Sequence, residues 1–392
     1  MTDAQALFER GHAALEAEDF PEAIECLSRA IAADPRVAAG YRLRAQAYRA
    51  IGDRPKAIAD LDAAIRLKPN EAQLHAERAA ELLKQRRYAD AVADCDTALR
   101  LDPGRVDLYA VRGRAHALLG ESAEAFADYE RAIHADADRA AEHLAHRAKL
   151  HLECGDPHSA LADADTAIRL DDGFLLAFEI RAQAYRELGD LASAADDFER
   201  AARDPAAIMP RLGRLSVLHD LGRWSAVLRA ADELLTISNL APVLELRGRA
   251  KLALGDTSGA VDDFTLLATR DARRPTAFVL RAAAHEAAGN IAAAVADCYE
   301  ALKRDPADAD TLNQLAWLLA TKPVVKDAAR AKELATRACE LSGWSNADHL
   351  DTLAVACAEL GESQEAASWL EKAIALDDRP EFREKLSRIQ KE

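Results

Sequence analysis

The feature that most constrains this chain is a recurrence. A turn position returns at Glu18, Gly52, Arg86, Gly120, Gly155, Gly189, Gly222, Gly255, Gly289 and Gly361, with successive spacings of 34, 34, 34, 35, 34, 33, 33, 34 and 72 residues. The last gap holds one further, altered unit, so eleven units follow. The stretch 106–139 shows what repeats. Its first half reads as an amphipathic helix from Val106 to Leu119, ended by Gly120, because glycine takes a positive-φ cap at little cost. Its second half starts near Ser122 and places Ala125, Tyr129, Ala132 and Ile133 at helical spacing. Small residues (Gly113, Ala125, Ala132) stand where the partner helix is expected, which lets two backbones approach closely. A helix pair this short cannot bury its apolar face alone and needs a neighbour on each side.

Composition agrees with thin, local cores: half the residues are hydrophobic but only 5% are aromatic. A formal charge of −16 argues against a nucleic-acid binder, for which a basic stripe is expected. The start of the chain has no basic segment followed by an apolar one, so no signal peptide is expected. No apolar run is long enough to span a membrane. The six cysteines are scattered singly without a CxxC, which reads as small buried hydrophobes in a reducing compartment, with a cytoplasmic location expected.

The units divide the chain as follows. Residues 4–308 hold nine helix pairs, of which the seventh, 208–240, is irregular: it contains Pro210 and has Val227 and Leu234 in place of alanines, so looser packing or a bend is expected. Residues 309–346 form an atypical pair whose turn is lengthened by 321–327, and 347–379 form the last pair. Segment 380–392, with Phe382, Leu386 and Ile389 on one face, reads as a solvating cap helix. Asp34-Pro35, Lys68-Pro69, Asp102-Pro103, Asp204-Pro205 and Asp305-Pro306 close units, since proline cannot continue the preceding helix.

A 34-residue helix–turn–helix with Gly11, Ala23, Ala30 and Pro35 at these offsets resembles the tetratricopeptide repeat (TPR) family. Tyr41, Tyr48, Tyr109, Phe178 and Tyr185 of the first helices, and Ala57, Ala91, Ala125 and Ala160 of the second, extend the resemblance over essentially the whole chain. Leu7, Leu144, Leu244 and Arg211 depart from the aromatic that opens many family repeats. The phrases LAWLLAT and ACELSGW in the tenth unit are similar to terminal repeats of bacterial members. The resemblance implies an all-α, right-handed α-solenoid with a C-terminal capping helix, whose first helices line a concave face where a ligand peptide lies.

Two charged patterns stand out. Arg44, Arg78, Arg112, Arg147, Arg181, Arg247 and Arg281 each precede an aspartate by 16 residues, namely Asp60, Asp94, Asp128, Asp163, Asp197, Asp263 and Asp297. Both members fall near the packing seam, which predicts a structural ladder of bidentate pairs within units or between neighbours. The alternative is that the arginines grasp a ligand anion. On the face of the first helices turned from their partners, Arg42, Gln46, Arg49, Lys84, Arg114 and Lys149 form a basic column whose main acidic neighbour, within units two to four, is Asp107. Gln183, Arg186 and Arg249 continue the face among acidic residues. These nine are the expected peptide-binding residues, the first six favouring an acidic segment; ordinary solvated helix charge is the competing reading.

The inner column His12, Gln46, Ala80, Arg114 and Lys149 lacks the asparagines with which chaperone-binding family members grip a terminal carboxylate. An asparagine ladder of the glycosyltransferase type is missing too. His143, His146, His151 and His158 do not make the i, i+4 pair of a helical zinc site. No metal, no cofactor and no catalytic residue is expected, and the function expected is a protein-interaction scaffold. Its partner is a protein or peptide of acidic character, neither nucleic acid nor membrane. Self-association as a homo-oligomer, or service as an accessory subunit, is the alternative.

Overall fold

A computed structural model describes residues 3–204 and 206–390, which contain 23 α-helices, two single-turn 3-10 segments and, among the described residues, no strand. Pro205 of the expected Asp204-Pro205 break and residues 391–392 of the expected cap lie outside the described residues. The chain divides at position 205 into two compact units, at the entry to the pair singled out as irregular.

In the first unit, α1 (Asp3–Glu16) pairs with α2 (Phe20–Ala33), α3 (Ala38–Ala50) with α4 (Arg54–Leu67), and α5 (Ala72–Lys84) with α6 (Tyr88–Leu101). Next, α7 (Asp107–Leu119) pairs with α8 (Ser122–Ala135), α9 (Ala140–Glu153) with α10 (Pro157–Leu170), and α11 (Leu175–Glu187) with α12 (Leu191–Ala201). In the second unit the pairs are α13 (Ile208–Asp220) with α14 (Trp224–Ile237), α15 (Ala241–Ala253) with α16 (Thr257–Arg270), and α17 (Pro275–Ala287) with α18 (Ile291–Leu302). They continue with α19 (Ala309–Thr321) and α20 (Ala328–Leu341), then α21 (Ala347–Glu359) and α22 (Ser363–Leu376), on which α23 (Pro380–Ile389) packs. Within each unit every second helix also packs on the following first helix, so successive pairs cover one another's short apolar faces.

Local chemistry sets the pairs. Gly120 turns the chain with φ of 81°, while Glu18 and Arg86 adopt φ of 60° and 61° without the freedom of glycine. Directly after the turn, Asp19, Asp53, Asp156, Asp190 and Asp256 each accept a hydrogen bond from the backbone N–H three residues on, capping the second helix. Five residues past the turn comes the closest approach of the two helices. Ala23, Ala57, Ala91, Ala125, Ala160, Ala194, Ala260, Ala294 and Ala366 sit there, all 0% exposed. In the α15–α16 pair, a Cβ on Gly248 would lie 2.5 Å from the Phe264 ring, so glycine is what admits that phenylalanine.

The irregular pairs have their own solutions. Val227 and Leu234 are buried as fully as the alanines they replace, so the expected looseness does not show as exposure at these two positions. The turn between α19 and α20 carries a 3-10 turn, Pro323–Val325, and Asp327 caps α20. Phe382 of α23 is buried against the last core, with Leu386 and Ile389 packed beside it. No helix among the described residues is long and apolar enough to cross a membrane.

Candidate functional site

Each ladder arginine stands on a first helix and reaches the second helix of its own pair. Arg112 is representative: Nε donates to Asp128 Oδ2 and Nη2 to Asp128 Oδ1, both at 2.7 Å, and Asp128 is only 2% exposed. The same fork joins Arg44 to Asp60, Arg78 to Asp94, Arg147 to Asp163, Arg181 to Asp197, Arg247 to Asp263 and Arg281 to Asp297, at 2.6–2.9 Å. The remaining guanidinium nitrogen, Nη1, turns backwards to the second helix of the preceding pair. Arg44 reaches Ser28, Arg78 reaches Asp62, Arg112 reaches Asp96, Arg181 reaches Asp165 and Arg247 reaches Asp232. One guanidinium therefore ties two successive pairs together. Aromatic rings flank it: Arg44 lies 5.9 Å from the centroids of both Tyr41 and Tyr48, and Arg181 5.5 Å from Phe178. The carboxylate hydrogen bonds raise the arginines above their ordinary value against the opposing effect of burial. Arg281 reaches back to Thr265 in the same way, whereas Arg147 makes the fork but, among the described residues, no backward bond, so six of the seven arginines are tied to both pairs.

The basic column is less basic than its residues suggest. Arg42 Nε lies 3.1 Å from Glu77, Arg49 Nε 3.0 Å from Glu81, and Lys84 Nζ 3.2 Å from the same Glu81, which is 1% exposed. Asp107 is thus not the main acidic neighbour of this column; Glu77 and Glu81 of α5 are, and Asp107 is held by Arg105 at 2.8 Å. Lys149 lies 3.8 Å from Glu153, Arg249 3.1 Å from Glu245, and Gln183 donates to Glu179. Gln46, Arg114 and Arg186 are exposed, and among the described residues no carboxylate pairs with either arginine.

Two of the expected residues, Lys84 and Arg114, meet in one place. A cleft of about 450 Å³ opens across the first helices α5, α7 and α9, its apolar lining supplied by Ala80, Leu83, Ala110, Val111 and Leu118. Lys84, Arg86, Arg114 and Arg139 stand round it with Asp107, Glu142 and His146. Lys84, Arg139 and Asp107 are spoken for, Arg139 by Glu142 at 2.8 Å, which leaves Arg86 and Arg114 as its unpaired cations among the described residues. His146 stacks on Tyr129, and burial, with the nearby Arg114, lowers its proton affinity, so it faces the cleft as a neutral ring at neutral pH. Arg42, Gln46, Arg49, Lys149, Gln183, Arg186 and Arg249 do not line this cleft.

Family models described as tetratricopeptide repeat match residues 8–72, 77–140, 147–208 and 248–380. The chain belongs to the tetratricopeptide repeat family. No curated protein matches it. Solved structures similar to it include the TPR domain of P58(IPK), at 18% identity and a TM-score of 0.37, covering 100% of this chain and 98% of that one. Yeast Tom70 follows at 15% identity and a TM-score of 0.41, with 99% of this chain and 94% of that one covered. MamA 41-end from Desulfovibrio magneticus RS-1 is 17% identical with a TM-score of 0.43, over 44% of this chain and 98% of that one.

Other chemistry in these tetratricopeptide repeats is sparse. The four histidines of the fifth pair supply no metal-binding group among the described residues; one group, Cys357 with Glu362 and Glu365, has ligand atoms close enough. There Lys332 Nζ already sits 2.7 and 2.8 Å from the two carboxylates and supplies the counter-charge. Five of the six thiols are buried, and burial pushes Cys95, Cys298 and Cys339 up to about 12 and Cys357 to about 11, far from a reactive thiolate.

Proposed function

We propose that this protein is a protein-interaction scaffold, with no catalytic step of its own, and that an extended segment of a partner lies in the α5–α7–α9 cleft. The observation that carries the reading is a partly apolar cleft lined also by Arg114, an exposed guanidinium without a carboxylate among the described residues. A bare cation beside an apolar surface selects a segment with an acidic side chain next to an aliphatic or aromatic one. Arg86 gives a second cationic contact on the rim, and Lys84 adds an ammonium that Glu81 already half satisfies. Gln46, Lys149, Gln183 and Arg186, on neighbouring first helices, extend the same face for a longer segment. Arg42, Arg49 and Arg249 contribute less attraction because their charge is spent on Glu77, Glu81 and Glu245. The buried, high-pKa thiols support residence in a reducing compartment such as the cytoplasm.

The test is affinity capture from source lysate with wild type and with Arg114→Glu. Arg49 is a poor target, because it also neutralises the buried Glu81, so its replacement by glutamate would set two carboxylates side by side. Loss of one or more partners from the Arg114→Glu capture is expected, and partners that are lost must re-elute from wild type as salt is raised. Equal recovery of every partner from both proteins rules out the cleft. Capture of nothing but further copies of this chain would show self-association instead.

A further inference from the structure

The second unit carries a pocket of opposite character. Between α19 and α21 a cavity of about 480 Å³ is bordered by the carboxylates of Asp310, Asp348 and Asp351 and by the indole of Trp317, and no lysine or arginine is among its lining residues. Asn313 adds an amide oxygen, Oδ1, that is shielded from solvent and accepts no hydrogen bond. Gln314, Asn346, His349 and Thr352 complete a polar lining whose distinguishing groups are the carboxylates and the π-face. The chain itself shows what such a set holds. Lys385 of α23 places its ammonium 5.2 Å from the centre of the Trp317 ring and 2.6 and 2.8 Å from the oxygens of Asp351. Arg379, just before α23, donates to Asp348 at 2.6 Å. The third carboxylate, Asp310, is the most open: its side chain is 87% exposed, and its ion-pair partner among the described residues is the buried His349, at 3.1 Å.

We propose that this pocket is a second interaction site, a receptor for a lysine or arginine side chain carried by an extended segment of a partner protein. With Asp351 and Asp348 held by Lys385 and Arg379, Asp310 is the border carboxylate whose charge remains to attract a basic side chain and repel an acidic one. The indole favours an organic cation over a strongly hydrated metal ion, since a ring face attracts cations without offering a ligand lone pair. A guanidinium or ammonium entering beside Asp310 finds a carboxylate and the free parts of the Trp317 ring. The site does not depend on the α5–α7–α9 cleft, whose ligand is acidic, and failure of either leaves the other standing.

The experiment measures fluorescence anisotropy of a labelled peptide alternating alanine with lysine, against full-length protein, with a glutamate-for-lysine peptide as control. It is run at about 0.15 M salt, where attraction beyond about 8 Å is screened, so the overall negative charge contributes little. Wild type is expected to bind the lysine peptide, and Asp310→Asn to bind it about tenfold more weakly, the equivalent of one charge-assisted hydrogen bond. Glu124→Gln, which removes one exposed negative charge from α8 in the first unit, is expected to bind as wild type does. Asp348→Asn serves in the same way should Asp310→Asn fail to fold. Lys385→Gln, which vacates Asp351 and the indole, is expected to tighten binding. Equal weakening by Asp310→Asn and Glu124→Gln, no binding by wild type, or equal binding of the glutamate peptide would overturn the proposal.

Discussion

Asp128 shows how a single side chain holds successive repeats in place. It accepts two hydrogen bonds from Arg112 at 2.7 Å while nearly excluded from water, and Arg112 uses its third nitrogen on the exposed Asp96 of the preceding pair. Removing Asp128 leaves the half-buried Arg112 with the exposed Asp96 alone, so Asp128→Ala is expected to destabilise the protein by about 3 kcal/mol. Asp96→Ala removes an exposed partner and should cost about 0.5 kcal/mol. Urea unfolding of the two variants measures the difference, and equal midpoints would mean that the forks add nothing. His143 makes the opposite kind of contribution. It is 1% exposed and neither ring nitrogen has a hydrogen-bond partner; burial, aided by Arg139 and opposed by Glu142 and Asp136, lowers its proton affinity below the ordinary value of 6.5. The unfolded chain takes up the proton near 6.5 and the folded one resists it. Stability is therefore whole above that pH and drains away as pH falls through it towards the lower folded value. His146, lowered by its own burial, acts in the same direction. Unfolding midpoints at about pH 7.5 and about pH 5 should differ, with the second lower, and His143→Phe should narrow the gap. Among the thiols, Cys154 alone of the six is exposed, so a thiol reagent should modify one cysteine quickly in the native protein and all six in denaturant.

At the scale of the helix pair, stability depends on how closely two backbones approach and on how the chain turns between them. Ala125 sits in the tightest column, and Ala125→Leu is expected to cost about 1–3 kcal/mol by overpacking the α7–α8 pair. Glu18 occupies the left-handed conformation that glycine fills in most other turns, so Glu18→Gly should gain about 1 kcal/mol, seen as a higher denaturation midpoint. Much of this level is legible in the chain because it repeats. A turn every 34 residues, small residues at fixed offsets and an arginine 16 residues ahead of an aspartate reinforce one another seven times or more. What the sequence conceals is the reach of a side chain across pairs. Arg42 meets Glu77, 35 residues on, and Arg49 meets Glu81, 32 residues on, intervals that occur once each and so form no pattern. Projecting one helix at a time shows which residues share a face but not which carboxylate of the next helix neutralises them. The backward bonds of the ladder are hidden for a related reason: the acceptor varies among serine, aspartate and threonine, so only its position recurs.

For the molecule as a whole, the two units present different surfaces on their first helices. The first offers a partly apolar cleft lined also by an unpaired arginine, and the second a pocket of carboxylates round an indole. Neither surface is apparent from the formal charge of −16, which records an excess of carboxylates but not which charges are paired within the fold and which are left open. Such a distribution suits a molecule whose work is recognition, where specificity comes from the few groups left unpaired. The measurement that bears most directly on the account is hydrogen exchange, read by mass spectrometry, on the protein alone and with a captured partner bound. Slowed exchange in the peptides covering α5, α7 and α9, and its loss in Arg114→Glu, is the predicted result. Protection confined to second helices, or unchanged by Arg114→Glu, would contradict it.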